Sequence, residues 1–448
     1  MTDLIDAGDI LPDTTRVVAG HLSIGGCDVT ELAERFGTPL YVYDEASVLS
    51  RARAYRDALR ASYPGMSTVC YAAKAYAAPW ILSLLGDEGL GLDVVSGGEL
   101  FVAAKAGFPR DRVYFHGNNK GEDELALALD ERVGRIVVDN LDEIALLGRL
   151  AKERGVRQTI LLRVSPGVDA HTHAHLTTGK VDTKFGLGIE TGAAAEGVRA
   201  ILAQPALSLR GYHAHIGSQI NEIGPFEASI TRLFAFAKEM HTRHGVALRE
   251  ISPGGGYGVR YTTADPKPNA IEMVRRVGAL AAAAARSAGF DELPDLTIEP
   301  GRSIVAAAAV ALYRVGSVKA IPAGRTYVAV DGGMSDNIRP TAYGAKYSAM
   351  LANRADDRAK PIDVAIAGKY CETGDILIGS VALPLPAVGD LLAIPVAGAY
   401  HLSMASNYNM APRPAVVVVA DGRARLVRRR ETFDDLLAAD IVADAVKA

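Results

Sequence analysis

Lys74 is a residue in this sequence that could form a covalent bond with a cofactor. It stands in Tyr71-Ala-Ala-Lys-Ala-Tyr76, directly after the apolar run Thr68–Ala72, which predicts a β-strand. Small apolar neighbours remove hydration from a lysine, which lowers the pKa of its amine from ~10.4 and favours attack on a carbonyl group. An ordinary lysine that reaches solvent from a strand end has the same context, so the interpretation depends on its partners.

Two glycine-containing segments could bind an anion such as a phosphate. Gly254–Gly256 leaves backbone N–H groups open to a ligand, and Gly301 with Arg302 offers a second position of this kind. A plain glycine turn is the alternative for each segment taken alone.

Glu299 and His215 are suited to a flat ring that contains nitrogen. A carboxylate beside a pyridine nitrogen keeps that nitrogen protonated and makes the ring an electron sink. An imidazole such as that of His215 can stack on the face of a ring. A helix-capping glutamate and a core histidine are the alternatives for these two residues.

Cys371 and Glu372 lie in the polar segment Gly368–Asp375, which follows the apolar strand Val364–Ala367. A thiol in a polar loop beside acidic residues is accessible, so a reactive role for Cys371 is plausible. A buried, inert cysteine is the usual alternative.

The elements that must position these residues alternate regularly. Amphipathic helical patterns separate eight short β-type runs, and most of the candidate residues follow the end of such a run. The runs are Thr68–Ala72, Gly91–Val95, Arg112–Phe115, Arg135–Val138, Thr159–Val164, Arg210–His215, Arg249–Ser252 and Leu296–Glu299. This alternation predicts an α/β fold with a (β/α)8 TIM-type barrel, whose active site forms at the carboxyl ends of the strands. Phosphate usually binds such barrels after strands 7 and 8, where both glycine segments fall.

The alternation of strands and helices ends after about residue 305. Short strands separated by turn residues then predict a mainly antiparallel C-terminal β domain, with a hairpin signal at Asp421-Gly422. The expected organisation is residues 46–305 as the barrel and 306–448 as the β domain. The strand-like segments Arg16–Val18 and Leu40–Tyr43, within residues 1–45, are expected to pair with the C-terminal sheet.

Composition excludes several classes of function. The net charge is −4 from 48 basic and 52 acidic residues, which gives no general attraction to nucleic acid or to anionic membranes. Three scattered cysteines support neither a disulfide framework nor a metal knuckle. The absence of a signal-like start and of an apolar run of ~18 residues predicts a cytoplasmic protein outside the membrane. His171, His173 and His175 alternate, but no carboxylate or cysteine completes a metal site, so no metal is expected.

Longer motifs make the sequence resemble the diaminopimelate decarboxylases. They occur in the order typical of that family, from about Tyr41 to Pro414. They are YAAKA around Lys74, HIGSQ at His215–Gln219, PGGGYG at Pro253–Gly258, EPGR at Glu299–Arg302, DGGMSDNIRPTAYGA at Asp331–Ala345, CETGD at Cys371–Asp375, GAY at Gly398–Tyr400 and SNYN at Ser406–Asn409.

The resemblance implies a pyridoxal 5′-phosphate enzyme, a carboxy-lyase that converts meso-diaminopimelate to L-lysine and CO2. It implies that Lys74 bonds to the cofactor, that His215 stacks on its ring and that Glu299 pairs with the ring nitrogen. The other cofactor-binding residues implied are Asp93, Ser218, Gly255, Gly256, Gly301, Arg302 and Tyr408.

The resemblance also implies a homodimer with composite active sites. Arg302, Arg339, Tyr343, Glu372 and Tyr408 then bind the substrate, and Cys371 of the partner subunit donates the proton. Two departures from the family pattern, Lys369 in place of proline and the histidine-rich loop Val168–Phe185, affect none of these roles.

Three other functions remain as alternatives. A related decarboxylase of ornithine, arginine or carboxynorspermidine would leave the two arginines and Glu372 without the distal groups that they suit. A racemase would place an arginine rather than Glu299 at the ring nitrogen. A cofactor-binding protein without catalytic activity would need neither the β domain nor Cys371.

Overall fold

The computed structural model describes residues 9–168 and 183–441 of the 448-residue chain. These residues form two compact units. The barrel unit comprises the described parts of Leu49–Val259 together with Pro268–Ile304. The β unit comprises the described parts of Met1–Val48, Arg260–Lys267 and Val305–Ala448.

Eight parallel strands close into a barrel in the barrel unit. Each strand pairs with the next in chain order, the fourth pairs with the fifth, and the eighth pairs with the first. The strands are Ser67–Ala72, Gly91–Val94, Val113–Phe115, Arg135–Val138, Gln158–Ser165, Leu207–His213, Glu250–Gly254 and Asp295–Ile298. The predicted (β/α)8 barrel is therefore confirmed. A short extra strand, Leu187–Gly188, pairs with the fifth barrel strand.

Helices separate the strands in the predicted alternation. Those of the barrel are Pro79–Asp87, Gly97–Lys105, Glu122–Asp130, Leu141–Glu153, Ala193–Leu202, Gly224–His244 and Ala270–Ser287, while Glu45–Ser62 precedes the first strand and Arg302–Val305 follows the last. Leu141–Glu153 shows why these segments are helical. The side chain of Asn140 accepts a hydrogen bond from the backbone of Glu143 and caps the first turn. Ile144, Leu147 and Leu150 repeat at helical spacing and are buried.

A buried ionic network occupies the amino-terminal end of the barrel. Glu250, at the start of the seventh strand, is fully buried and accepts hydrogen bonds from Arg135 Nε at 2.7 Å and Arg210 Nε at 3.0 Å. Tyr114 donates a third bond at 2.6 Å. A buried carboxylate needs partners of this kind to offset its lost hydration. The network is structural, which leaves the carboxyl ends of the strands for chemistry.

The β unit contains a nine-stranded mixed sheet. Its strands are Leu40–Asp44, Ala309–Ala320, Thr326–Val330, Met350–Leu351, Ile362–Ala367, Ile376–Leu383, Leu391–Ile394, Ala415–Ala420 and Arg423–Arg428. Two pairings are parallel, Leu40–Asp44 with Ala415–Ala420 and Thr326–Val330 with Ile362–Ala367, and the others are antiparallel. Three short helices accompany the sheet, namely Val29–Phe36, Arg339–Tyr343 and Phe433–Leu436.

The amino-terminal segment divides between two sheets. Leu40–Asp44 lies between Ala309–Ala320 and Ala415–Ala420 in the large sheet. Arg16–Val18 instead pairs with His21–Ile24 in a separate three-stranded sheet, so the expectation that it joins the C-terminal sheet was wrong. The two-residue turn at Ala19-Gly20, where both residues have positive φ, explains the difference, because it returns the chain at once into His21–Ile24.

Within residues 9–168 and 183–441, none of the helices combines the length and apolar character that a membrane crossing requires.

Candidate active site

Lys74 lies at the carboxyl end of the first barrel strand. It belongs to a single 3-10 turn, Ala73–Ala75, that follows Ser67–Ala72 directly, and its side chain is exposed while both neighbouring alanines are buried. Burial raises the pKa of Asp93, at the end of the second strand, to about 7, and the positive charge of Lys74 opposes this rise. The ammonium of Lys74 and the carboxylate of Asp93 therefore share one electrostatic environment.

Glu299 follows the eighth strand and is held by two buried neighbours. His213 Nε2 lies 2.9 Å from one carboxylate oxygen, and Ser252 Oγ donates to the other at 3.1 Å. His116 Nε2 lies 3.6 Å from Glu299 and 3.7 Å from Asp93. His116, His213 and Glu299 place potential metal-ligand atoms within 4.8 Å of one another, a grouping that the sequence did not predict.

His215 lies in the loop beyond the sixth strand. The strand ends at His213 rather than at His215, and its pairing with the fifth strand shifts register between Leu209 and Gly211. His215 is half-buried, its Nδ1 accepts a hydrogen bond from the backbone N–H of Gly255 at 3.3 Å, and burial lowers its pKa well below the usual range. The imidazole is therefore neutral near pH 7 and available to stack on a ring.

Two motif loops are joined by hydrogen bonds. The side-chain amide of Gln219 both donates to and accepts from the backbone of Val259, at 3.0 and 2.9 Å. The backbone N–H of Ile220 donates to Gly256 at 2.9 Å. The loops after strands 6 and 7 therefore form one structure, which explains why HIGSQ and PGGGYG occur together.

The glycines after strand 7 permit contacts that no side chain would allow. A Cβ atom on Gly255 would lie 1.9 Å from the carbonyl oxygen of Glu299, and one on Gly256, whose φ is +100°, would lie 2.3 Å from that of Gly217. Backbone that is free of side chains in this way allows a phosphate to approach closely.

Anion-binding side chains lie near this glycine backbone. Arg302, half-buried, donates from Nη2 to Ser218 Oγ at 3.1 Å, which connects the loops after strands 8 and 6. Among the described residues, Asp93 Oδ1 and His116 Nε2 are buried and have no hydrogen-bond partner. Unsatisfied buried polar atoms beside an open glycine backbone fit a flat anionic cofactor with its own polar groups.

A Gly255→Ala substitution is expected to destabilise the barrel and to weaken phosphate binding. The added methyl group would overlap the Glu299 backbone, so we expect a loss of about 3 kcal/mol in unfolding free energy. Chemical denaturation measures this loss. Gly224→Ala is the matched control, since a Cβ atom there would meet no atom within 4 Å. Equal stability of the two variants would contradict the proposed crowding.

The second group of predicted residues lies in the β unit. Arg339 is buried at the start of the helix Arg339–Tyr343, and its guanidinium lies over the rings of Tyr261 at 5.0 Å and Tyr400 at 5.8 Å. These rings restrict the guanidinium without neutralising it, which suits the recognition of an anion. Tyr343 is exposed at the end of the same helix.

Cys371 and Glu372 are both exposed in a loop fixed by Asp375. The Asp375 carboxylate, almost fully buried, accepts from the backbone N–H groups of Met334 at 2.7 Å and Tyr370 at 2.8 Å. It thereby joins the segment that leads to Arg339 to the loop that carries Cys371. Of the three cysteines, Cys27 and Cys70 are buried, so Cys371 is the accessible thiol.

The SNYN segment completes this group. Asn409 Oδ1 accepts a hydrogen bond from the backbone of Cys371 at 3.0 Å, and the hydroxyl of Tyr408 donates to the Cys371 carbonyl at 3.4 Å. Ser335 and Ser406 exchange two hydrogen bonds. The structure thus places Arg339, Tyr343, Cys371, Glu372 and Tyr408 in the β unit, and the remaining predicted residues in the barrel unit.

Several residues at these sites had no predicted role. His213 and Ser252 contact Glu299, and Asp375 and Asn409 fix the Cys371 loop. The alternation of side chains along a strand offered a signal for His213, because it ends the strand that leads to His215. His171, His173 and His175 fall outside the described residues.

Comparisons with known proteins found related sequences and solved structures that are similar to this chain. Residues 45–306 match the family model described as the pyridoxal-dependent decarboxylase, pyridoxal binding domain. The chain is 48% identical to a diaminopimelate decarboxylase of Bacillus subtilis, over 94% of this chain and 95% of the relative. It is 42% identical to a diaminopimelate decarboxylase of Mycobacterium tuberculosis, over 96% and 97%.

A solved structure gives the same result for the fold. Diaminopimelate decarboxylase from M. jannaschii in complex with L-lysine is 34% identical and superposes with a TM-score of 0.90, covering 96% of this chain and 98% of that one.

Proposed function

Because this chain belongs to the diaminopimelate decarboxylases and, as such an enzyme, converts diaminopimelate to L-lysine and CO2, we propose that pyridoxal 5′-phosphate bound at Lys74 supports the reaction. We further propose that the enzyme works as a cytoplasmic homodimer, in which Cys371 of one subunit serves the cofactor of the other. Three free cysteines suit a reducing compartment.

The barrel unit would hold the cofactor. Lys74 supplies the amine for the covalent attachment, and Glu299 and His215 would contact the ring. The backbone of Gly255, Gly256 and Gly301, together with Ser218 and Arg302, would surround the phosphate, with Asp93 near the attachment point. When bound, pyridoxal phosphate supplies a ring that accepts the electron pair left behind when CO2 departs.

The β unit would recognise the distal end of the substrate. Arg339, with Tyr343, would bind the distal carboxylate, and Glu372 would bind the distal ammonium. Opposite charges are required at that end because it is itself an amino acid. Tyr408 would contact both the cofactor and the substrate.

The residues of the chain would take part in the reaction in a defined order. The amine of Lys74 would hold the cofactor when no substrate is bound, and the substrate carboxylate would leave as CO2. Arg302 would steady the substrate while Glu299 keeps the ring in its electron-accepting form. The Cys371 thiol would then give its proton to the carbon that lost CO2. Lys74 would hold the cofactor again once L-lysine has left.

One observation carries this proposal. Lys74 and Asp93 come from the first two strands, and the Gly255 backbone and Glu299 follow the last two, yet all stand at the carboxyl ends of a single barrel. That convergence is the arrangement expected of an active site in this fold.

The substrate is tested by direct assay of CO2 release. We expect purified enzyme with pyridoxal phosphate to release CO2 from meso-diaminopimelate and to act at least about 100-fold less efficiently on ornithine and arginine, because neither presents an amino-acid group at its far end. Comparable rates on ornithine would contradict the proposed roles of Arg339 and Glu372. A wild-type protein that binds no cofactor would contradict the proposed chemistry altogether.

A further inference from the structure

Glu299 is held by hydrogen bonds that no part of the proposed reaction explains. His213 Nε2 lies 2.9 Å from one carboxylate oxygen, and Ser252 Oγ donates to the other at 3.1 Å. His213 and Ser252 are 1% and 0% exposed, and Glu299 is 6% exposed. A buried carboxylate with both oxygens bonded is fixed in orientation as well as in charge.

The surroundings of His213 identify which of its nitrogens carries the proton. Among the described residues, its Nδ1 is buried and has no hydrogen-bond partner. A proton on Nδ1 would therefore be a buried donor without an acceptor, which is costly. The tautomer with its proton on Nε2 avoids that cost and donates to Glu299. His213 thus directs a hydrogen-bond donor, its Nε2–H, at the carboxylate.

Further charged and titratable groups face the same carboxylate. His116 packs its ring edge-on against His213, with centroids 4.8 Å apart, and its Nε2 lies 3.6 Å from Glu299. Burial alone would raise the pKa of Glu299, but the nearby His213 and His116 outweigh burial and hold that pKa well below its usual range. His215, Asp93, Lys74 and Arg163 are further ionisable groups in these surroundings.

We propose that His213 is a positioning residue, which keeps the Glu299 carboxylate ionised and correctly oriented for the ring nitrogen of the cofactor. This inference rests on the proposed function, since it assigns His213 a role only through Glu299. The property of His213 that matters is the hydrogen bond that it donates to Glu299, and not the imidazole ring itself. A side chain that donates from the same place should therefore substitute for it.

Two cofactors and two variants test this role. Pyridoxal 5′-phosphate has a ring nitrogen, whereas its 1-deaza analogue has carbon in that position and can gain nothing from Glu299. Titration of cofactor-free protein gives a dissociation constant for each cofactor. The dissociation constant of the analogue divided by that of pyridoxal 5′-phosphate is the ratio that measures the contribution of the ring nitrogen. We expect His213→Leu to reduce the wild-type ratio by roughly 10-fold or more, because it removes a hydrogen bond to a charged group.

The conservative variant and a control make the result specific. His213→Gln, whose amide can still donate, is expected to keep the ratio within about 3-fold of wild type. His241→Leu removes an exposed histidine of the helix Gly224–His244, whose Nδ1 lies 3.0 Å from the carbonyl oxygen of Val246, and should leave the ratio unchanged. Thermal melting of the cofactor-free proteins shows whether each variant folds, and His213→Gln carries the test if His213→Leu does not.

The outcomes separate this inference from the proposed function. A folded His213→Leu with the wild-type ratio would overturn the role of His213. So would a folded His213→Gln whose ratio falls by 10-fold or more, because the donor would then not be the property that matters. Wild-type protein that binds neither cofactor would instead overturn the proposed function.

Discussion

Replacing Lys74 with alanine is expected to abolish the visible absorption of the bound cofactor and to lower the rate of decarboxylation by roughly 10⁴-fold. Lys74 supplies the amine for covalent attachment in the proposed reaction, and alanine has no group that could take its place. Its side chain is exposed after the first strand, so its removal leaves no cavity in the core. Absorption spectra and CO2 release measure the two effects.

A second lysine provides the control for this substitution. Lys105 ends the helix Gly97–Lys105 and is exposed, with its ammonium 5.3 Å from the ring of Phe101. Lys105→Ala should therefore keep both the spectrum and the rate. An unchanged absorption band in Lys74→Ala would show that the cofactor is attached elsewhere, and would remove Lys74 from the proposed site.

The sequence predicted the barrel because each of its strands carries a local signal. Runs such as Arg135–Val138 are apolar and β-branched, and the helical pattern that follows at Leu141–Glu153 has a cap and a buried stripe. The strand Ala309–Ala320 was missed, since its alanine-rich start has weak β-propensity. Its place is decided by pairing with Leu40–Asp44 and Leu391–Ile394, which are distant in sequence.

The same distinction, between local signals in the sequence and contacts from distant segments, applies to the candidate site. Motifs predicted roles for Lys74, Glu299 and Cys371, because each lies in a short segment with an unusual combination of residues. The partners that fix them come from other segments and have ordinary surroundings in the sequence. Asp375 is an example, since its carboxylate acts on the backbone of Met334, 41 residues away. Such contacts depend on how distant loops meet, which residue types and local spacing do not specify.

Mixing two inactive variants is expected to restore activity if the active site is shared between subunits. Cys371→Ala should retain the cofactor but turn over slowly, because its proton donor is missing, and Lys74→Ala cannot attach the cofactor. In a mixed dimer, one site would combine the intact Lys74 of one chain with the intact Cys371 of the other. Random exchange of subunits would make about one quarter of all sites complete, so activity should recover to about 25% of wild type.

The design of the mixing experiment excludes simpler explanations for recovered activity. Subunits should exchange under mild denaturant, with each variant treated alone as the control for reactivation. Labelling with a thiol reagent checks the Cys371→Ala chain, because Cys371 is the exposed cysteine while Cys27 and Cys70 are buried. Recovery near one quarter would establish that Lys74 and Cys371 act across a subunit boundary. No recovery, in a mixture shown to contain mixed dimers, would mean that both residues serve a site within one chain.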